Sequence, residues 1–270
     1  MSSLNLLALP KRESFLRCFL APEGYLLVRE DINSLEPCVL TYLSQDKNLL
    51  KLYGKGSDPH DGYLFVAHSL FPKVAANYDI DNITEAKRDK AKEVCHDERS
   101  QVKPAFLGWF YGLGATNLAL KEDIPLKEAQ RFLGKLDVLF VGKHSYHKAL
   151  IKEWYNNGGW VVSARGTPVC VCNSKKKDIV NRVVQKSGHE LLQRLLYHRN
   201  VYRLKHKIRM YPYIPDFHDE SVWHVHPDDL ELAEDAINYS YEKLNEELNW
   251  NVTIRHGGIS IGDDLRVRCD

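Results

Sequence analysis

The chain has 270 residues, 44% hydrophobic and 27% charged, enough to bury one large or two smaller cores. Its 37 basic and 36 acidic residues leave a net charge of +1, which excludes a strong global field for polyanions and restricts any nucleic-acid contact to local clusters. No run approaches membrane-spanning length, "MSSLNLLALPKRE" is too short and weakly apolar for a signal peptide, and six cysteines without a CxxC pair fit a reduced intracellular protein.

Tyr25 to Arg29 (YLLVR) reads as a buried strand that delivers Asp31 at its end. From Glu36 the pattern turns helical, with Pro37 in the first turn and Val39, Leu40 and Leu43 on one face. A second helix is expected over Lys47–Tyr53. In "GKGSDPHDGYLFVAHSLF", Asp58 is the expected cap, Pro59 the first-turn residue, and His60 follows at the helix start. Residues 84–120 read as mostly helical, with breaks near Cys95 and at Gly112–Gly114, and 125–156 as two further helices. "GGWVVSARGTPVCV" is a predicted hairpin, with Cys170 and Cys172 on one side of a strand as free thiols rather than metal ligands.

A long helix over about 175–199 leads to a second hairpin, 211–217 with 221–226. His224 and His226 are expected to be exposed there. A charged amphipathic helix over 227–248 and a strand-rich 250–267 complete the chain, with no internal repeat.

The tip of the second hairpin carries Asp219 and Glu220 side by side, where mutual repulsion calls for a cation. Asp31 and Asp219, on separate strands far apart in sequence, suit a pair of divalent ions roughly 3.5–4 Å apart acting on a phosphoryl group. Mg²⁺ favours such sites because it binds one or two carboxylates plus substrate phosphates. A solvated acidic turn fits the same residues. In "ERSQVKPAFLGWFYGLG", Arg99, Lys103, Leu107 and Tyr111 recur every four residues and form one drifting helical stripe about 18 Å long. Two cations grading into an apolar and then an aromatic residue could hold a triphosphate at one end and support a base at the other. A pair of solvated cations beside a core stripe fits equally well.

Taken in order, "REDINSLEPCVLTYLS", "RSQVKPAFLGWFYG" and "FHDE" resemble motifs A, B and C of the family A DNA polymerases. "NLLALPKRESFLRCFLAPEGYLLV", "DPH" and "NRVVQKSGHE" resemble the accompanying segments, so the resemblance covers nearly the whole chain. It implies an α/β right-hand polymerase: an antiparallel palm sheet with helices, an inserted set of helical fingers, and no thumb. Palm would occupy 1–45 and 173–270, fingers 46–172. It implies template-directed nucleotidyl transfer from a dNTP to a primer 3′-hydroxyl, with two Mg²⁺ ions for which Mn²⁺ can substitute.

The resemblance makes Asp31 and Asp219 metal ligands, Glu220 an auxiliary catalytic carboxylate, and the Ile32 carbonyl a further metal ligand. Glu36 takes the place of the residue that closes the sugar pocket, and His60, Arg99, Lys103, Leu107 and Tyr111 those that bind the dNTP. His218, Gln185, Asn181 and Lys177 fall where the family contacts primer and template. Departures are Leu107 for an aromatic residue, Pro104 inside the stripe where a kink is expected, Cys38 for an arginine, and "RGTP" for an arginine-rich turn.

The family places a thumb, early palm strands and often an exonuclease-like domain before the first motif. The expected partners are therefore primer–template DNA, dNTPs and another polypeptide carrying those parts, as in a split phage polymerase. The expected location is cytoplasmic, in a bacterial host for a phage-encoded chain, with no membrane partner. A catalytically inactive polymerase-like subunit is the rival reading. A two-metal nuclease is a weaker one, because it needs no triphosphate-binding stripe.

Overall fold

The computed structural model describes residues 13–57, 60–217 and 219–266. In chain order these form α1 (Glu13–Leu16), β1 (Leu26–Ile32), α2 (Leu35–Ser44), α3 (Lys47–Tyr53), α4 (Gly62–His68), α5 (Pro72–Asn77) and α6 (Glu85–Val94). Next come α7 (His96–Phe110), α8 (Ala115–Glu122), α9 (Leu126–Leu139), α10 (Val141–Asn156), β2 (Trp160–Val162) and β3 (Pro168–Cys170). The chain continues with α11 (Ile179–His206), β4 (Met210–Phe217), β5 (Glu220–Val225), α12 (Leu230–Leu248) and β6 (His256–Gly262). Two compact units emerge, Met1–Leu35 with Ser187–Asp270, and Glu36–Lys186.

The first unit is built on an antiparallel sheet of order β4-β5-β1-β6. In β1, Leu27, Arg29 and Asp31 share one face, and Val28, Glu30 and Ile32 the other. The register sets Asp31 opposite Glu220 on β5 and Gly258 on β6. Ile32 donates its N–H to the Asp219 carbonyl at 2.8 Å, which ties the hairpin tip to the end of β1. On α12, Ala233, Ala236, Ile237, Ser240, Tyr241 and Leu244 are buried at helical spacing and form its inward face.

The second unit is helical except for the β2–β3 hairpin. Asp46 caps α3 by accepting from Asn48 and Leu49 N–H at 2.9 and 3.0 Å, and also accepts from Gly142 N–H at 2.6 Å. A Cβ at Gly142 would lie 2.7 Å from Asp46 Cα, so the close approach requires glycine. Phe106, Trp109, Phe110 and Phe140 pack as an aromatic core with centroids 4.8–6.3 Å apart.

Several local expectations need correction. Asp61, not Asp58, caps α4, accepting from Leu64 N–H at 2.8 Å; Asp58 and Pro59 lie outside the described residues. His60 therefore precedes the cap instead of starting the helix. Tyr111 stands at the C-cap of α7, and Lys177 in a 3₁₀ turn, Lys176–Asp178, ahead of α11. The helix α11 runs on to His206, past the expected stop at Arg199, which is wholly buried. His224 and His226 are half-buried: His224 packs on Tyr213 at 4.5 Å and His226 on Tyr25 at 5.8 Å. The helix α7 continues through Pro104 to Phe110.

Candidate active site

In the sheet unit, Asp31 lies half-buried near the end of β1. Its Oδ1 is buried without a hydrogen-bond partner, and it faces Gly257, where any Cβ would collide with the carboxylate. Burial, followed by the charges of Asp219, Glu220 and Glu30, raises the Asp31 carboxyl above its ordinary range. An orphaned, crowded carboxylate beside a glycine cradle has the chemistry of a site for a hard cation. Asp219 and the Ile32 carbonyl, at the joined strand ends, complete the group of donors that would hold it. Among the described residues no three His, Cys, Asp or Glu side chains form a closed metal cage. An open site of two carboxylates is what Mg²⁺ needs when substrate phosphates supply the rest.

Glu220 is engaged differently, accepting from Arg29 Nε at 3.0 Å across the β1–β5 pair. This ion pair balances one of the negative charges beside Asp31. His218 lies outside the described residues.

Behind Asp31, on the opposite face of β1, lies a cluster that the sequence reading missed. Glu30 is fully buried and accepts from Arg199 Nη2 at 2.7 Å, Ser221 Oγ at 2.9 Å and Tyr241 hydroxyl at 2.6 Å. Arg199 also donates to Ser221 Oγ at 2.8 Å and Ser240 Oγ at 3.3 Å, and lies over Trp223 at 5.4 Å. The Tyr241 hydroxyl reaches the Asp31 carbonyl at 3.5 Å. This buried ion pair adjoining Asp31, in which Arg199 Nη1 and Nη2 are bonded and its Nε is not, fixes the end of β1 against α11 and α12. The available signal was a charged residue in the inward register of a strand, Glu30, one position before Asp31.

In the helical unit, α7 buries Val102, Ala105, Phe106, Trp109 and Phe110 and turns the Arg99–Lys103–Leu107–Tyr111 stripe away from them. Arg99 donates to Asp61 from Nε and Nη2 at 3.2 and 3.0 Å and lies 4.8 Å over the Tyr63 ring. Lys103 is exposed, 5.6 Å from the same ring. Lys103, Leu107 and Tyr111 line an open cleft of about 550 Å³ with Gly108, Asn117 and Lys121. The Tyr111 hydroxyl donates to Glu36 at 2.8 Å, joining two residues 75 positions apart.

His60 faces the Tyr78 hydroxyl at 3.3 Å, and burial followed by the Lys51 charge lowers its pKa. On α11, Gln185 is exposed and Asn181 half-buried with an unpartnered Oδ1. The Lys177 side chain lies outside the described part of the structure. Among the described residues no helix is long and apolar enough to cross a membrane.

These features converge with known proteins. The sequence model of DNA polymerase family A matches residues 1–262. The DNA polymerase of Mycobacterium phage D29 is 28% identical over 207 residues, 76% of this chain and 30% of its own length. The thermostable DNA polymerase I of Thermus aquaticus is 28% identical over 151 residues, 55% of this chain and 16% of its own. The chain thus spans a third or less of either relative. The POL domain of Pol1 from M. smegmatis, solved with DNA primer-template and dNTP, shares the fold with a TM-score of 0.73. That likeness, at 19% identity, covers 98% of this chain and 45% of the other. With a palm-type antiparallel sheet, a helical insertion and a match over almost its full length, the chain belongs to DNA polymerase family A.

Proposed function

We propose that the chain is the palm and fingers portion of a DNA-directed DNA polymerase, transferring nucleotides from dNTPs to a primer 3′-hydroxyl. The observation that carries this is Asp31, a crowded carboxylate with an unpartnered buried oxygen, joined through Ile32 to Asp219. The sheet unit acts as palm and the helical unit as fingers. Asp31, Asp219 and the Ile32 carbonyl would hold two Mg²⁺ ions, whose charge makes the primer hydroxyl a better nucleophile and stabilises the departing pyrophosphate. Glu220, paired with Arg29, modulates the charge at this centre rather than holding an ion itself.

Lys103 and Arg99 bind the triphosphate, with Arg99 oriented by Asp61 and Tyr63. Leu107 and Tyr111 support the incoming base and sugar along the cleft wall, and His60 adds a phosphate contact. Glu36, held by Tyr111, occupies the space that a ribose 2′-hydroxyl would need. His218, Gln185, Asn181 and Lys177 contact primer and template. With a net charge of only +1, duplex contact falls to local basic clusters, and part of the basic surface comes from further polypeptide, continuous with these residues or separate.

The test is extension of a recessed primer with dNTPs and Mg²⁺, by the chain alone and with a polypeptide carrying the thumb and early palm. The expected result is template-directed incorporation that a chelator abolishes. Primer–template binding without incorporation in either sample would favour an inactive relative.

A further inference from the structure

We propose that Cys170 and Cys172 form a reversible dithiol–disulfide site, oxidised by low-molecular-weight disulfides such as glutathione disulfide. The two side chains are exposed and their Sγ atoms lie 3.1 Å apart at the end of the β2–β3 hairpin. A disulfide bond is about 2.05 Å long, so closing the ring brings the sulfurs roughly 1 Å closer. The backbone between them is already fixed. Val171 is buried, donates its N–H to the Gly159 carbonyl at 2.8 Å, and accepts from Trp154 Nε1 at 3.2 Å. Gly159, at φ +94, passes so close that a Cβ there would lie 2.7 Å from Cys172 Cα. With the middle residue anchored inward, both thiols are held on the outer side and face each other.

The pair differs from the chain's other described cysteines. Cys38 and Cys95 are buried, and Cys18 is exposed with its thiol on the Ser14 carbonyl at 3.6 Å. A metal reading is weaker, since no third His, Cys, Asp or Glu joins the pair among the described residues. The Cys172 backbone N–H, followed by the sulfur–sulfur contact, lowers the Cys170 pKa, while the same sulfur contact raises that of Cys172. Cys170 is thus the attacking thiolate and Cys172 the resolving thiol.

In the first step Cys170 sulfur bonds to one sulfur of the small disulfide and expels the other half as a thiolate, which takes up a proton. In the second, the Cys172 thiol loses its proton and attacks Cys170 sulfur, expelling the remaining half as a thiol. Two protein thiols are oxidised and one disulfide is reduced to two thiols.

The test is incubation of the reduced full chain in graded mixtures of glutathione and glutathione disulfide, followed by alkylation and peptide mass spectrometry. The expected result is a peptide spanning Cys170 and Cys172 that lacks two hydrogens and carries no alkyl group, restored by dithiothreitol, while Cys38 and Cys95 stay alkylated. The C172S variant should stop with glutathione attached to Cys170, and C170S should react about tenfold more slowly. Full alkylation of both residues at every ratio would overturn the proposal. So would two separate glutathione adducts in the wild type, or a bridge from either residue to another cysteine. None of these readouts depends on polymerase activity, so they stand apart from the function proposed above.

Discussion

Glu36 and Tyr111 illustrate what a single contact adds to a motif. The family resemblance implies a sugar-pocket role for one and a base-end role for the other, and the structure joins them by a 2.8 Å hydrogen bond. If Glu36 is held in place by that hydroxyl, Glu36→Ala and Tyr111→Phe should both raise ribonucleotide use relative to deoxyribonucleotide, with the larger effect from Glu36→Ala. Competitive incorporation of matched rNTP and dNTP reads this, and an unchanged ratio in Tyr111→Phe would make the bond incidental.

Glu30 carries the opposite lesson. An acidic residue in the inward register before Asp31 signals a buried charge but does not identify its partner 169 positions away, because that pairing is created only by the tertiary fold. Removing one half leaves a charge stranded, so Arg199→Met should destabilise the fold by about 3–5 kcal/mol. Chemical denaturation would detect it. A loss below about 1 kcal/mol would mean that water reaches Glu30 and relieves it, against its burial.

At the scale of elements, most helices were legible because their caps and apolar spacing are local properties. The Lys47–Tyr53 helix coincides with its expected span, and breaks fall at Cys95 and near Gly112 as read. The misplaced start of α4 has a physical reason: Asp58 and Asp61 both satisfy the cap pattern locally. Asp61 is the cap that also reaches Arg99, and Leu64 N–H and the guanidinium offset the cost of burying its carboxylate. His224 and His226 were misread because alternation marks the two faces of a strand without saying whether aromatic neighbours cover the polar one.

The stripe on α7 makes its own prediction. Arg99→Ala and Lys103→Ala should each weaken dNTP use by about 1.5–3 kcal/mol, the range for hydrogen bonds to charged groups. Single-turnover kinetics at varied dNTP would show it, and unaltered affinity and rate would return both cations to a solvated face.

The turn into α12 supplies a test by pH. Asp229 accepts from the Arg209 side chain and backbone N–H, which lower its carboxyl from 3.8 to about 2. The folded state therefore binds this proton less readily than the unfolded one, and the contribution is complete above the ordinary carboxylate value. It is lost as pH falls through about 2. Thermal unfolding of Asp229→Asn should show a shallower acid decline than the wild type between those limits. Identical slopes would mean the pair persists in the unfolded chain.

For the whole molecule, three motifs in order identified the family, and the match over residues 1–262 agrees. Composition contributed little to that reading, since a charge of +1 describes neither unit's surface. What no local pattern conveys is closure of the palm sheet, which brings β1 between β5 and β6 from opposite ends of the sequence. That pairing sets Asp31 opposite Glu220 and beside the glycines of β6, and so gives a crowded carboxylate its unpartnered oxygen.

We propose that the unpartnered Asp31 oxygen holds catalytic metal. The direct measurement is the rate of single-nucleotide incorporation, with Mg²⁺ saturating, for the wild type and for Asp31→Asn in an assembly where the wild type is active. Loss of one anionic ligand should reduce the rate by at least about a thousandfold while the unfolding midpoint is maintained or raised, since a neutral amide relieves the carboxylate crowding. Incorporation within a few fold of the wild type would contradict the assignment.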